Sequence, residues 1–138
     1  MGYVYYENLV FISESSDFSL LILKEKLDTF YKTDDRKINT TIVEDTINVK
    51  IDNYEFYIGL NEESYVADEI REIVEDCAKD RDDKDVLLTC KKRLEISGGD
   101  EDFDMDYFND SLYINEKIQE FKNVFIYNPQ ENKFDDEI

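Results

Sequence analysis

Residues 46–77 read TINVKIDNYEFYIGLNEESYVADEIREIVEDC, and within this stretch the spacing of the apolar residues changes once. In residues 47–51 and again in residues 54–60, apolar side chains alternate with more polar ones. Alternation puts every second side chain on the same face of a strand, and the Asp52-Asn53 pair between the two runs favours a tight turn. The first half of the stretch therefore predicts a β-hairpin with one buried face.

From residue 61 onward the apolar residues recur at helical spacing instead. Asn61 is a candidate N-cap, and Glu62 and Glu63 would then lie in the first turn, where negative charge suits the helix dipole. The predicted buried stripe consists of Val66, Ile70, Ile73, Val74 and Cys77. The predicted outer face is acidic and carries Asp68, Glu69, Glu72, Glu75 and Asp76.

The same periodicities predict the other elements. Before the hairpin come a strand centred on residues 9–12 and a helix with the apolar stripe Leu20, Leu23, Leu27 and Phe30, for which Ser15, Ser16 and Asp17 are candidate caps. After it come a strand over residues 86–96, a helix over 116–121, a strand over 123–128 and a short acidic tail at 131–138. Residues 111–115 either form the start of that helix or a strand before it. A further strand over 40–43 also fits the pattern. The order β-α-β-β-α-β-α-β, which leaves that segment out, predicts one α+β domain over residues 1–138, with two to three helices on a mostly antiparallel sheet.

Charge sets the class of partner. The 138 residues include 16 Lys and Arg against 35 Asp and Glu, a formal net charge of −19. The excess is −5 in residues 1–60 and −14 in residues 61–138. Contacts with phosphate groups need Lys or Arg, so we expect no direct binding to nucleic acid or to an anionic membrane. A basic protein is the natural partner.

No targeting signal or membrane span is predicted from the sequence. No segment approaches the roughly 20 apolar residues of a membrane span. The N-terminal stretch MGYVYYENLVFISE lacks the basic start of a secretory signal, and Tyr6 stands where myristoylation of Gly2 needs Ser or Thr. The two cysteines, Cys77 and Cys90, are interpreted as buried free thiols in a reducing compartment. These features predict a cytoplasmic protein.

Composition excludes several catalytic chemistries. The chain has no histidine, which removes Ser-His-Asp and Cys-His catalytic groups and histidine metal ligands. Gly98-Gly99 lacks the neighbouring residues of a phosphate-binding loop. With 35 acids, close carboxylate pairs are unavoidable, so no particular pair indicates a hydrolase. We expect a protein that is not an enzyme and has no catalytic residues and no cofactor. The enzyme hypothesis would need turnover that disappears when one carboxylate is changed.

The most acidic segment, residues 98–110, reads GGDEDFDMDYFND. A calcium loop beginning at Asp100 would need glycine at position 6 and glutamate at position 12, where Met105 and Ser111 stand. A loop beginning at Asp102 has tyrosine at both positions. Because both registers fail at the most demanding positions, we expect no dedicated metal site.

The aromatic residues interleaved with these acids admit two interpretations. In one, they anchor the loop to the core and the acids are merely solvated. In the other, they anchor a partner that the acids steer, and the acidic face of the 61–77 helix takes part. The candidate partner-binding residues are then Asp100, Glu101, Asp102, Phe103, Asp104, Asp106, Tyr107, Phe108, Asp68, Glu72, Glu75 and Asp76. The basic run Lys91-Lys92-Arg93 is expected to pair with carboxylates on neighbouring elements.

Residues 91–134, KKRLEISGGDEDFDMDYFNDSLYINEKIQEFKNVFIYNPQENKF, place a strand, an acidic turn, Tyr-Phe-Asn, a short helix and a closing strand in that order. In a small, strongly acidic chain this order resembles immunity proteins of bacterial polymorphic and contact-dependent toxin systems. The resemblance implies a one-to-one inhibitor that blocks a toxin, often a basic nuclease, inside the producing cell. The alternative is a phage or mobile-element protein that mimics nucleic acid and occupies the groove of a host defence enzyme. A mimic tends to space its acids regularly, so the clustering at 100–108 favours the inhibitor.

Overall fold

The predicted hairpin belongs to a larger sheet. A computed structural model describes residues 5–136 of the chain. Its elements are β1 (Asn8–Ile12), α1 (Leu20–Tyr31), β2 (Ile38–Val43), β3 (Thr46–Ile51), β4 (Tyr54–Asn61), α2 (Tyr65–Cys77), α3 (Lys84–Leu87), β5 (Lys92–Gly98), α4 (Phe108–Ile118), β6 (Val124–Asn128) and β7 (Lys133–Phe134). Residues 1–4, on which the expectations about a signal sequence and Gly2 depend, and residues 137–138 lie outside the described residues.

Seven strands form one antiparallel sheet in the order β2-β3-β4-β5-β1-β6-β7. β3 and β4 pair Ile51 with Tyr54 across the Asp52-Asn53 turn, as their alternation predicts. The segment at 40–43 does form a strand, β2, which pairs with β3. β5 lies between β4 and β1, so the centre of the sheet joins segments that are far apart in the sequence. The α+β class and the antiparallel sheet are confirmed.

Helices cover both faces of the sheet, and β1 shows how the faces divide. Val10 and Ile12 belong to one hydrophobic cluster with residues of α1 and α4, which we call the α1–α4 face. Phe11, between them, belongs to a second cluster with residues of α2 and α3, which we call the α2 face. Alternate side chains of a strand point to opposite faces, so a central strand covered on both sides needs apolar residues at every position.

The helical stripes predicted from spacing are confirmed. In α2, Val66, Ile70 and Val74 are buried on the α2 face, while Ile73 and Cys77 pack partly buried at its margin. In α1 the buried positions of the predicted stripe are Leu23 and Leu27, with Leu20 and Phe30 packed beside them.

The predicted helix starts are wrong. α1 is capped by Ser19, whose Oγ accepts a hydrogen bond from the backbone N–H of Ile22 at 3.3 Å, and not by any residue of 15–17. α2 begins at Tyr65, so Glu62 and Glu63 precede the helix. Asn61 ends β4 instead of capping α2. Its side-chain oxygen accepts from the backbone N–H two residues later, a local bond that favours a turn before the helix.

Two further assignments need correction. Of the strand predicted over 86–96, only residues from Lys92 onward are extended, and residues 84–87 form α3, a single turn that makes a fourth helix. Leu87 and Cys90, three residues apart, both join the α2 face, which suits a helical turn better than a strand. The acidic tail is also structured in part, because β7 pairs with β6 and Phe134 is buried. Residues 111–115, left open between strand and helix, belong to α4.

Candidate functional site

The 99–107 loop, which joins β5 to α4, is organised around an inward-facing carboxylate. Asp102 is 6% exposed, unlike the acids on either side of it. Its Oδ1 accepts a hydrogen bond from the backbone N–H of Asp106 (3.0 Å), and its Oδ2 accepts from the backbone N–H of Tyr107 (2.8 Å) and from the Tyr6 hydroxyl. Because N–H groups at the start of a helix lack helical partners, this carboxylate caps the approach to α4. Asp102 therefore holds the loop in shape and presents little charge to solvent.

Aromatic stacking attaches the same loop to the α1–α4 face. The rings of Tyr54 and Tyr107 stack with centroids 4.6 Å apart, and the Tyr54 hydroxyl donates to the carbonyl of Asp100 at 2.7 Å. Burial and the charge of Asp102 raise the pKa of Tyr54 to about 12, so this donor keeps its proton at neutral pH. A Cβ on Gly98 would lie 2.1 Å from the Tyr54 hydroxyl oxygen, which explains the glycine. Tyr107 thus anchors the loop to the core.

Four apolar side chains of the loop and of the first turns of α4 face solvent. Phe103 is 76% exposed, and its ring meets the Tyr5 ring edge-on with centroids 6.2 Å apart. Met105, Phe108 and Leu112 are also exposed. Exposed apolar groups that lie together commonly mark an interaction site. The term loop surface is used below for these four apolar residues together with the exposed acids Asp100, Glu101, Asp104 and Asp106.

A groove of about 370 Å³ lies beside the loop surface, between α4 and the segment that joins β6 to β7. Met105, Phe108 and Leu112 line it, together with the rings of Tyr5 and Tyr6. Asn115 lines it too, and its Oδ1 is a buried acceptor without a hydrogen-bond partner in the described part of the chain. Buried polar atoms are nearly always paired, so this unpaired oxygen marks a place for a water molecule or for a donor of a bound partner. The carboxylates around the groove are Glu7, Glu131 and Asp135.

Sequence reasoning missed three residues of this region: Met105, Leu112 and Asn115. Phe108, Leu112 and Asn115 are spaced i, i+4 and i+7 and therefore lie on one side of α4. That spacing is a usable signal once the segment is known to be helical. Met105 carries no comparable signal, because its exposure follows from the loop conformation, in which it holds a φ of 57°.

The exposed acids of the loop surface are uncompensated. Among residues 5–136, no Lys or Arg forms an ion pair with Asp100, Glu101, Asp104 or Asp106. Charges without a nearby counter-charge contribute fully to the field around the protein. The loop surface therefore combines apolar contact area with free negative charge.

The basic run Lys91-Lys92-Arg93, at the start of β5, is already paired with carboxylates, as predicted. Lys91 lies 2.9 Å from Glu14, and Lys92 lies 4.0 Å from Glu62. The guanidinium of Arg93, which is largely buried, contacts two carboxylates, those of Glu69 at 2.8 Å and Glu95 at 2.9 Å. These cations therefore pair with carboxylates of β5, of α2 and of the segments that follow β1 and precede α2.

The structure does not bring the two parts of the predicted partner-binding set together. Asp68, Glu72, Glu75 and Asp76 lie exposed on α2, as their spacing predicts. However, α2 packs on the α2 face, whereas the 99–107 loop packs through Tyr107 on the α1–α4 face. Of the α2 acids, Asp68 contacts Arg71 at 3.0 Å and Asp76 accepts a hydrogen bond from Asn132 at 3.1 Å. The protein therefore has two separate acidic surfaces. The loop surface carries four exposed apolar side chains, whereas the acids of α2 have one exposed aromatic residue, Tyr65, beside them.

Reactive groups are sparse in the described part of the chain. Burial raises the pKa of the Cys90 thiol to about 12, so this thiol is unreactive at neutral pH. Cys77 is only partly buried, so the prediction of two buried thiols holds for Cys90 alone. Within residues 5–136, no three His, Cys, Asp or Glu side chains converge as metal ligands would. No helix in that range has the length and apolar character needed to cross a membrane.

Comparison of the chain with protein-family models, with curated proteins and with solved structures gives no match.

Proposed function

We propose that this protein binds a basic protein through the loop surface and thereby blocks it. The observation that carries the proposal is the set of four exposed apolar side chains beside acids that form no ion pair with a Lys or Arg among residues 5–136. Apolar groups at the centre of a contact supply most of its binding energy, and charges around them steer and select the partner. A preformed loop also loses little conformational entropy on binding, and Asp102 and Tyr107 preform this one.

The charge of the chain supports a basic partner. With a formal net charge of −19, the protein attracts cationic proteins over several ångströms and accelerates their association. The buried acceptor on Asn115 suits an N–H donor, such as the guanidinium of an arginine. Carboxylates around the groove would stabilise the same cation.

For the partner itself, we propose a cognate bacterial toxin such as a nuclease, with this protein as its immunity protein in the cytoplasm. The resemblance of residues 91–134 to immunity proteins supports this assignment, because that segment contains the loop surface. The protein would act by binding alone, without turnover and without a cofactor.

A second candidate function rests on the other acidic surface. Asp68, Glu72, Glu75 and Asp76 form an exposed row along α2, about 12 Å long at the rise of a helix. A regular row of carboxylates with only one exposed aromatic residue, Tyr65, beside it suits a nucleic-acid mimic, which would occupy the binding groove of a defence nuclease. Because the two surfaces lie on opposite faces of the sheet, substitutions separate the two functions.

A co-expression assay tests the proposal. The protein encoded beside this one is expressed in a bacterial host with and without it, and growth is measured. We expect the neighbour to stop growth and the wild type to restore it. Phe103→Ala with Phe108→Ala, and Asp104→Lys with Asp106→Lys, should each abolish the rescue.

The matched control is Glu72→Lys with Glu75→Lys on α2. It changes the net charge by the same amount as Asp104→Lys with Asp106→Lys. It should rescue like the wild type, provided that all variants keep the wild-type melting temperature. A neighbour that does not impair growth would contradict the immunity assignment. Rescue lost only in the control variant would favour the nucleic-acid mimic.

A further inference from the structure

The two edge strands of the sheet differ in how well they are protected against pairing with a further strand. At one edge, β7 contributes two residues, Lys133–Phe134. At the other edge, β2 contributes six, Ile38–Val43, which read INTTIV and include no charge, proline or glycine. Natural edge strands are usually short, charged or interrupted, because unpaired N–H and C=O groups invite another strand. β2 has none of these protections, and among residues 5–136 it has one neighbouring strand, β3.

The pairing with β3 decides which backbone groups of β2 point outward. In an antiparallel ladder, alternate residues exchange hydrogen bonds with the neighbouring strand. The backbone N–H of Asp52 donates to the carbonyl of Lys37 at 2.8 Å, and Val43 pairs with Thr46 across a two-residue turn. Between these two pairs, the backbone N–H and C=O groups of every second residue point to β3. The outward N–H and C=O groups are therefore those of Ile38, Thr40 and Ile42.

We propose that this edge pairs with the same edge of a second copy of the chain, antiparallel about a two-fold axis at Thr40. In this register Ile38 of each copy lies opposite Ile42 of the other, and the three outward residues of each strand exchange about six hydrogen bonds. Residues that lie opposite each other come from the same face of the sheet in both copies. The two α1–α4 faces thus stay on one side of a continuous sheet.

The side chains of β2 support this pairing. Ile38 and Ile42 pack against the α1–α4 face but remain partly exposed at the open edge. Cross-strand pairs of β-branched residues stabilise a sheet, and the register makes two such pairs. Val43 is 68% exposed and comes to lie opposite Lys37 of the second copy, whose aliphatic stem can cover it.

The low charge of the edge segment, together with the self-complementary register, favours a second copy as the occupant. The net charge of −19 opposes self-association in general, but residues 32–50 contain four acids and four bases. The segment that contains the edge strand is therefore neutral, unlike the chain as a whole. The edge is distinct from the loop surface, and its occupation does not depend on the proposed function.

Sedimentation velocity from micromolar to millimolar concentration tests the proposal. We expect a reversible monomer–dimer equilibrium that tightens as salt is added, because screening weakens the repulsion between the two acidic chains. Thr40→Pro removes an outward N–H without breaking a bond to β3, and proline is tolerated at such an edge position. This variant should remain monomeric throughout, with an unchanged circular dichroism spectrum.

Two substitutions at one position test the register. Val43→Lys sets an ammonium opposite Lys37 of the second copy, and Val43→Glu sets a carboxylate there. Net charge alone would favour the dimer of Val43→Lys, which is the less negative variant. The register predicts the reverse order, with the Val43→Lys dimer about tenfold weaker than the Val43→Glu dimer.

Three results would overturn the proposal: a monomeric wild type at millimolar concentration, a dimer that Thr40→Pro leaves intact, or tighter association of Val43→Lys than of Val43→Glu. The first would leave the edge open to a strand of another protein.

Discussion

The guanidinium of Arg36 binds the carboxylate of Asp110 through two hydrogen bonds: Nη1 lies 2.8 Å from Oδ2, and Nη2 lies 2.9 Å from Oδ1. Asp110 is 1% exposed, and the Tyr31 hydroxyl donates to its Oδ1 at 2.7 Å. Burial and the bond to Asp110 raise the pKa of Tyr31 above its ordinary value, so the hydroxyl remains a donor. One buried carboxylate therefore joins the end of α1, the segment before β2 and the first turn of α4.

Asp110→Asn should lower the free energy of unfolding by about 3 kcal/mol, because it leaves the Arg36 guanidinium without its buried partner. Asp34→Asn removes the more exposed carboxylate of the same guanidinium and should cost less than about 1 kcal/mol. Urea denaturation of both variants gives the two values. Equal losses would show that burial does not strengthen the Asp110 contact.

Ile70→Ala should cost roughly 2–5 kcal/mol, since Ile70 is 1% exposed in the centre of the α2 face and its truncation leaves a cavity. Ile73→Ala, on the partly buried margin of the same helix, is the control and should cost less. Thermal and chemical unfolding measure both. A change at Ile70 within experimental error would mean that α2 does not pack as described.

Stability should rise with salt. The uncompensated acids repel one another, and screening at about 0.15 M acts over roughly 8 Å. We expect the melting temperature to increase from low ionic strength to that concentration of NaCl. A flat or falling melting temperature would show that the ion pairs outweigh the repulsion.

Calcium should bind no more tightly than the millimolar range of weak modules. Besides lacking the required glycine and glutamate, the loop commits Asp102 to Tyr6 and to backbone N–H groups, so its acids do not converge on one point. Titration calorimetry checks this expectation, and a single micromolar site would contradict it.

Local patterns in the sequence predict much of this fold. The hairpin, the helical stripes of α1 and α2 and the strand at 8–12 all follow from the spacing of apolar residues within a single element. The cap of α1 is less predictable, because Ser15, Ser16, Asp17 and Ser19 are all good N-cap residues and packing decides among them. In residues 86–90 the sequence offers two apolar spacings: Leu88 and Cys90 fit a strand, whereas Leu87 and Cys90 fit a helical turn, and the sequence alone does not show which of them is buried.

The candidate site is harder to predict because it depends on contacts between distant segments. The burial of Asp102 rests on Tyr6, which lies 96 residues away in the chain. Sequence alone treats Asp102 like its neighbours and cannot separate the anchoring Tyr107 from the exposed Phe108. Nor does it show that the loop and α2 lie on opposite faces, since that follows from the order of strands in the sheet.

The central claim is that the loop surface holds a basic partner, and the most direct measurement is the rate at which the complex dissociates. The partner found by co-expression is immobilised, and the wild type is compared with two variants of unchanged melting temperature. Phe103→Ala with Phe108→Ala should raise the dissociation rate at a cost of about 2 kcal/mol or more. Glu72→Lys with Glu75→Lys should leave that rate unchanged. If the aromatic variant dissociates like the wild type while the α2 variant dissociates faster, the loop surface is not the interface.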